Sequence, residues 1–276
     1  MSNPPDLLEL LSGVVLSAVA AAVGYRRASL NASGVIGAMI TGTILFGIGG
    51  WEWGLLLLVF FFSSSFLSHY REKDKVGLAE KFSKGNRRDL AQALANAGVA
   101  SVLALASLFW NRQVLYLGCV GAMAAVNADT WATELGVLSQ RAPRLITNGR
   151  PVTVGTSGGI TALGMAATLG GAGLIGLVAA LAAAIGGQEA GIVVGAVVVA
   201  LIGGLTGALL DSLLGATVQA IYWCDRCKKE TEQQVHRCGT PTRKIRGRNW
   251  MNNDVVNFLA SLLGALIALG IGANLG

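Results

Sequence analysis

The sequence predicts an all-α, polytopic integral membrane protein of about eight helical spans, with both termini outside and a small cytoplasmic zinc-knuckle loop. Three observations carry this expectation. Of 276 residues, 53% are hydrophobic and only 13% charged, with mean hydropathy +0.59; a soluble domain carries about 25% charged residues. Apolar runs of roughly 20 residues, the length a helix needs to cross a bilayer, recur along the whole chain. The basic residues also alternate between connections. Arg26 and Arg27 follow the first run, and Arg71, Lys73, Lys75, Lys81, Lys84, Arg87 and Arg88 follow the third. Arg141, Arg144 and Arg150 follow the fifth, and a series from Arg226 to Arg248 follows the seventh; Arg112 alone falls in an even-numbered connection. The positive-inside rule then puts the odd connections in the cytoplasm.

The spans fall near 7–24, 31–48, 53–69, 90–110, 114–137, 157–186, 190–220 and 252–274, one membrane domain over 1–276 with the segment 221–250 inserted as a loop. The first is an anchor. Acidic Asp6 and Glu9 lie at its start, where a cleavable signal peptide needs basic residues. On the second, Ser33, Gly34, Gly37, Thr41 and Gly42 form a small-residue stripe suited to close helix packing. The third is aromatic-rich and ends at His69, an interfacial residue rather than a ligand. On the fourth, Arg88, Gln92 and Asn96 repeat at i, i+4, i+8 as one polar ridge. Such amides serve either a site or the bonding of helix to helix.

The fifth span ends in Asn127-Ala-Asp129-Thr-Trp-Ala-Thr-Glu134. A charged group at mid-bilayer costs about 2.5–3.5 kcal/mol, so acids here face a protein interior or a site, or else mark a helix end reaching water. On a helical wheel Asn127, Thr130 and Glu134 share one face, while Asp129 and Thr133 point elsewhere. The sixth span begins with Arg150-Pro-Val-Thr-Val-Gly155-Thr156-Ser157-Gly158-Gly159. A Gly/Ser/Thr-rich helix entry offers free N–H groups to an anion, although it is also ordinary helix-start chemistry and is not a Walker A loop. The Gly/Ala-rich segment 160–205 reads as close packing. Near the end of the seventh span Asp211, Ser212, Gly215 and Gln219 share a face. The last span opens with Asn249, Asn253, Asp254 and Asn257 within about a third of the helix circumference; Asn249 is a candidate cap.

Between these spans, Cys224-Asp-Arg-Cys227 and His236-Arg-Cys238 supply four borderline-soft ligands, enough for a closed, structural zinc site. Free or redox-active thiols are the alternative. A disulfide is disfavoured on the cytoplasmic side. Cys119, inside the fifth span, reads as a small core residue.

Four polar clusters thus gather at one membrane face. No histidine lies in them, which excludes a Ser-His-Asp hydrolase. Carboxylates and amides suit Mg²⁺. Arginines and a glycine-rich entry suit phosphates, and together the parts fit phosphoryl transfer. The motifs Asn127 to Gly136, Gly155 to Gly159, Asp211 to Ala216 and Asn249 to Asn257 resemble, in order, those of the integral membrane family containing transmembrane protein 19 and the plant phytyl-phosphate kinase. The resemblance implies a CTP-dependent kinase that converts a phytyl- or geranylgeranyl-type monophosphate to the diphosphate. It assigns Asp129, Glu134, Asp211 and Asp254 to Mg²⁺ and the nucleotide phosphates. Asn127, Asn253 and Asn257 would complete the site, and Arg88, Arg150 and Thr156 to Gly159 would hold phosphate, with Gln92, Asn96 and Ser212 beside them. Its partners would be a prenyl phosphate lipid and a nucleotide, not nucleic acid, at the cytoplasmic face of a plasma or bacterial-type inner membrane. Two rivals stay open: a cytidylyltransferase making a CDP-lipid, and an ion-coupled transporter, whose polar residues belong near the midplane.

Overall fold

A computed structural model describes residues 5–71 and 87–274. The basic residues Lys73, Lys75, Lys81 and Lys84 lie outside the described residues. Among the described residues there are eight helices: α1 (Leu7–Arg26), α2 (Ala32–Gly47), α3 (Trp51–His69), α4 (Leu90–Ala106), α5 (Arg112–Gly136), α6 (Ala162–Ile185), α7 (Ala190–Thr217) and α8 (Asn253–Gly272). A hairpin of β1 (Arg144–Leu145) and β2 (Gly159–Ile160) links α5 to α6. The loop between α7 and α8 folds as a three-stranded antiparallel sheet, β3 (Ile221–Cys224), β4 (Lys229–Thr231) and β5 (Arg243–Arg246), with β3 central. Five helices, α1, α3, α6, α7 and α8, are long and apolar enough to cross a membrane; α2 and α4 are shorter apolar helices.

The starts of most helices are written in short polar side chains. Asp6, Asn31, Asp89, Asn111, Thr161 and Asn252 each accept from a backbone N–H of the first turn, satisfying donors that have no partner inside a helix. Three expectations are corrected by these caps. The sixth helix starts at Ala162, not 157, because Thr161 caps it, so Gly155–Gly159 belongs to the hairpin loop and not to a helix entry. The fourth helix ends at Ala106 rather than near 110. The cap of α8 is Asn252, and Asn249 lies before the helix, its side-chain oxygen accepting from Lys244 Nζ at 2.8 Å.

Helix α5 is the hub. It packs against α3, α4, α6, α7 and α8, whereas α1 rests mainly on α2. From Tyr116 to Ala128 every residue of α5 is buried. Small residues make this possible. A Cβ on Gly121 would stand 2.4 Å from Ala268 Cβ and from the Gly264 carbonyl oxygen, so α5 and α8 touch backbone to side chain. With neighbours on all sides, α5 needs no single apolar stripe and can carry polar groups that never meet lipid.

Candidate functional site

The ends of α3, α5 and α7 and the starts of α4, α6 and α8 meet at one end of the bundle. They enclose a cavity of about 320 Å³, near the lower limit of ordinary ligand sites at about 300 Å³. From α5 come Asp129, Thr130, Thr133 and Glu134; from α7, Asp211 and Ser212. Arg88, Gln92 and Asn96 line it from the α4 side, Asn253 and Asn257 from α8, and the hairpin loop contributes Thr156, Ser157, Gly158 and Gly159. Thirteen of the expected site residues therefore converge here from five separate parts of the chain. The wheel argument that set Asp129 and Thr133 apart from Thr130 and Glu134 is corrected: the cavity wraps around the end of α5 and takes both arcs.

Each side chain is positioned by its neighbours. Arg88 precedes α4, and its backbone is stitched to the α1–α2 connection, donating to the Ser29 carbonyl (2.9 Å) and accepting from Asn31 N–H (3.0 Å). Its guanidinium donates to Ser65 Oγ at 3.1 Å, lies 5.5 and 5.7 Å from the Phe60 and Phe61 ring centres, and is within electrostatic reach of Glu134. Glu134 accepts from Ser68 Oγ at 2.8 Å. Gln92 has its side-chain oxygen in the capping box with Asp89 (3.1 Å), so part of the expected ridge is structural. In the hairpin loop Gly158 has φ +83°, and an added Cβ would stand 2.4 Å from Ala216 Cβ. Only glycine lets this loop lie directly on α7. Ser157 Oγ donates to Gln219 Oε1 at 2.6 Å, fixing the loop to the end of the same helix.

Several acidic groups gather in the cavity. Asp211 lies within interaction distance of both Asp129 and Glu232. Asp211 Oδ2 and Asn96 Oδ1 are buried and have no hydrogen-bond partner in the described structure. Buried polar atoms are nearly always satisfied, so an orphaned carboxylate oxygen beside other acids marks the place of a ligand. Hard oxygen donors of this kind fit Mg²⁺.

Three expected residues stand elsewhere. Asn127 is fully buried outside the cavity: its amide nitrogen donates to the Gly171 carbonyl (2.8 Å) and its oxygen accepts from Ser63 Oγ (3.0 Å), tying α5 to α6 and α3. Arg150 is exposed in the hairpin, and Asp254 is half-buried in the first turn of α8, both outside the cavity lining. His69 is exposed at the end of α3, its Nδ1 2.8 Å from the Ser65 carbonyl oxygen. Sequence reasoning missed Glu232, which enters the cavity with Glu230 and Thr231 from the strand β4 and the residue after it. Gln219 Nε2 donates to Glu232 Oε1 at 2.9 Å. No helical period exists in that loop to single these residues out; a mixed-charge run after a Cys pair was the one signal.

The Cys/His cluster sits beside this strand. Cys224, Cys227, His236 and Cys238 bring their ligand atoms within 4.8 Å of one another. Hydrogen bonds with Thr240 and then His236 hold the Cys238 thiol down to about 6.

The comparisons agree with this architecture. A profile of the integral membrane protein family DUF92 matches residues 15–265. The chain is 35% identical to Protein PGR of Arabidopsis thaliana over 281 residues, 95% of this chain and 96% of that protein. It is 36% identical over 174 residues to an uncharacterized membrane protein of Methanocaldococcus jannaschii, covering 62% of this chain and 70% of that one. With an uncharacterized membrane protein of Synechocystis the identity is 29% over 96% of this chain and 92% of the relative. No solved structure matches. The family-level resemblance carried by the four motifs is borne out, and the chain belongs to the DUF92 family of integral membrane proteins.

Proposed function

We propose that this protein is a CTP-dependent kinase that phosphorylates a prenyl monophosphate at the cytoplasmic membrane surface. The observation that carries the proposal is the buried, unpartnered Oδ2 of Asp211 in a cavity it shares with Asp129, Glu134 and Arg88. The family resemblance supplies the substrate class. In the reaction a terminal oxygen of the prenyl phosphate attacks the γ-phosphorus of CTP, the bond from that phosphorus to the bridging oxygen breaks, and CDP leaves. The products are a prenyl diphosphate and CDP.

The residues divide the work. Asp129, Glu134 and Asp211 would hold Mg²⁺, with Asp254 at the margin. The ion would neutralise charge between the donor phosphates. Arg88 and the hairpin loop Thr156 to Gly159 would face phosphate oxygens, the Thr156 and Gly159 N–H groups themselves being taken by the Thr153 and Thr156 carbonyls. Gly155 and Gly158, both at positive φ, turn the backbone of that loop so that it lies against the cavity. Asn253 and Asn257 hydrogen-bond and orient the substrates from α8.

Topology supports a cytoplasmic site with all eight helices in the membrane. Arg26, Arg71, Arg87, Arg141 and the loop arginines share the cavity end, while Arg112 lies at the other. A transporter reading finds less support, because the acids gather at one end rather than at the midplane. The test is product identification by mass: purified protein, Mg²⁺, phytyl or geranylgeranyl monophosphate, and each nucleoside triphosphate in turn. A prenyl diphosphate formed with CTP, and lost in Asp211→Asn, is the expected result. A CDP-lipid would move the assignment to cytidylyl transfer, and absence of any product would overturn the kinase reading.

A further inference from the structure

The Cys/His loop and the acidic cavity share one segment of chain. Cys224 and Cys238 Sγ are 3.7 Å apart, and His236 Nδ1 is 3.2 Å from Cys238 Sγ. Two thiolates bound at about 2.3 Å to one tetrahedral zinc lie about 3.8 Å from each other. The sulfur spacing is therefore that of a common metal and far from the ~2.05 Å of a disulfide. Cys224 is fully buried and His236 is 3% exposed, and the buried Nε2 of His236 has no hydrogen-bond partner. Four soft donors this close, two of them shielded from water, have no packing purpose of their own.

The order of residues matters as much as the cluster. One ligand pair, Cys224 and Cys227, brackets the β3–β4 turn, and the other, His236 and Cys238, follows β4. Glu232 lies between the two pairs, directly after β4, with its carboxylate in the cavity and held by Gln219. A metal joining the pairs fixes both ends of the segment that presents Glu232.

We infer that the four ligands bind a structural zinc, and that this zinc is a clasp that delivers Glu232 as a further carboxylate for the cavity cation. The second half rests on reading the cavity as a divalent-cation site for phosphoryl transfer. Metal loss would loosen both ends of the segment from residue 227 to residue 236, leaving Glu232 held only by the β3–β4 pairing and by Gln219.

The test uses full-length protein in detergent with two readouts, zinc content by elemental mass spectrometry and Mn²⁺ binding by electron paramagnetic resonance. The purified chain is expected to carry about one zinc, and Cys227→Ser and His236→Ala to lose it. Glu232→Gln is expected to keep its zinc and its thermal melting point while binding Mn²⁺ about tenfold or more weakly, and stripping zinc with a chelator should weaken Mn²⁺ alike, reversibly. Folded protein without zinc would overturn the clasp. Unchanged Mn²⁺ binding in Glu232→Gln would overturn the delivery of that carboxylate. If both effects appear and no prenyl diphosphate forms with any nucleotide, the clasp stands and the kinase reading fails.

Discussion

The two ends of the helical bundle use polar residues in opposite ways. At the end where α5 begins, several polar side chains bond to what surrounds them, although the buried Nε1 of Trp53 has no partner. Arg112 donates to the Gly49 carbonyl and, at 3.3 Å, to that of Ile48, with Glu52 close by. Gln113 donates to Gln188 at 2.9 Å, and Tyr116 donates to the Ala179 carbonyl at 3.1 Å. At the end where α5 finishes, Asp211 and Asn96 keep buried oxygens with no partner, in a cavity lined by other acids. Satisfied polar groups lock helices together. What sets the second end apart is that its unpartnered atoms are oxygens of an acid and an amide gathered in one cavity.

Substitutions break this comparison at different strengths. Asp211→Asn should show the largest effect, a loss of about 10³-fold or more in phosphoryl transfer with the melting temperature held, measured by product formation and detergent thermal denaturation. Gly158→Leu should follow. It forces a side chain into Ala216 at positive φ and should cost about 2–4 kcal/mol together with most of the activity, both visible in the same pair of assays. Asn127→Leu removes the bonds from α5 to the Gly171 carbonyl and the Ser63 hydroxyl. It should cost about 1–3 kcal/mol of stability while the folded fraction keeps its activity, which active-site titration of surviving protein would show. Arg112→Gln at the far end should be mildest, lowering stability by about 1–2 kcal/mol with turnover unchanged. If Arg112→Gln instead silenced the enzyme, the division between the two ends would be wrong.

The helical, integral membrane class and the positions of the helices were legible because hydropathy acts over long stretches, and lipid tolerates few alternatives. Asp129, Asp211 and Asn257 were also legible, since a polar residue inside an apolar helix has few structural excuses. Asn127 had one: a bond to the Gly171 backbone of α6, which no helical wheel contains. The hairpin loop was misread as a helix entry because Gly155–Gly159 and the cap Thr161 are written in the same small polar residues, and the chain changes from one to the other within a few positions. Glu232 was hidden for a different reason. Its approach depends on strand pairing between β3 and β4 and on Gln219 at the end of α7, contacts between segments that carry no period.

The hub position of α5 has a consequence for synthesis. This helix leaves the ribosome before α6, α7 and α8, the helices that later cover it. Until they arrive, Asp129 and Glu134 have no protein wall on that side, and Asn127 has no Gly171 to bond. The nascent chain must therefore hold a partly polar helix at the insertion machinery, or at the membrane surface, until the C-terminal half is made. A chain stopped after α5 would be a quality-control substrate rather than a smaller version of the protein.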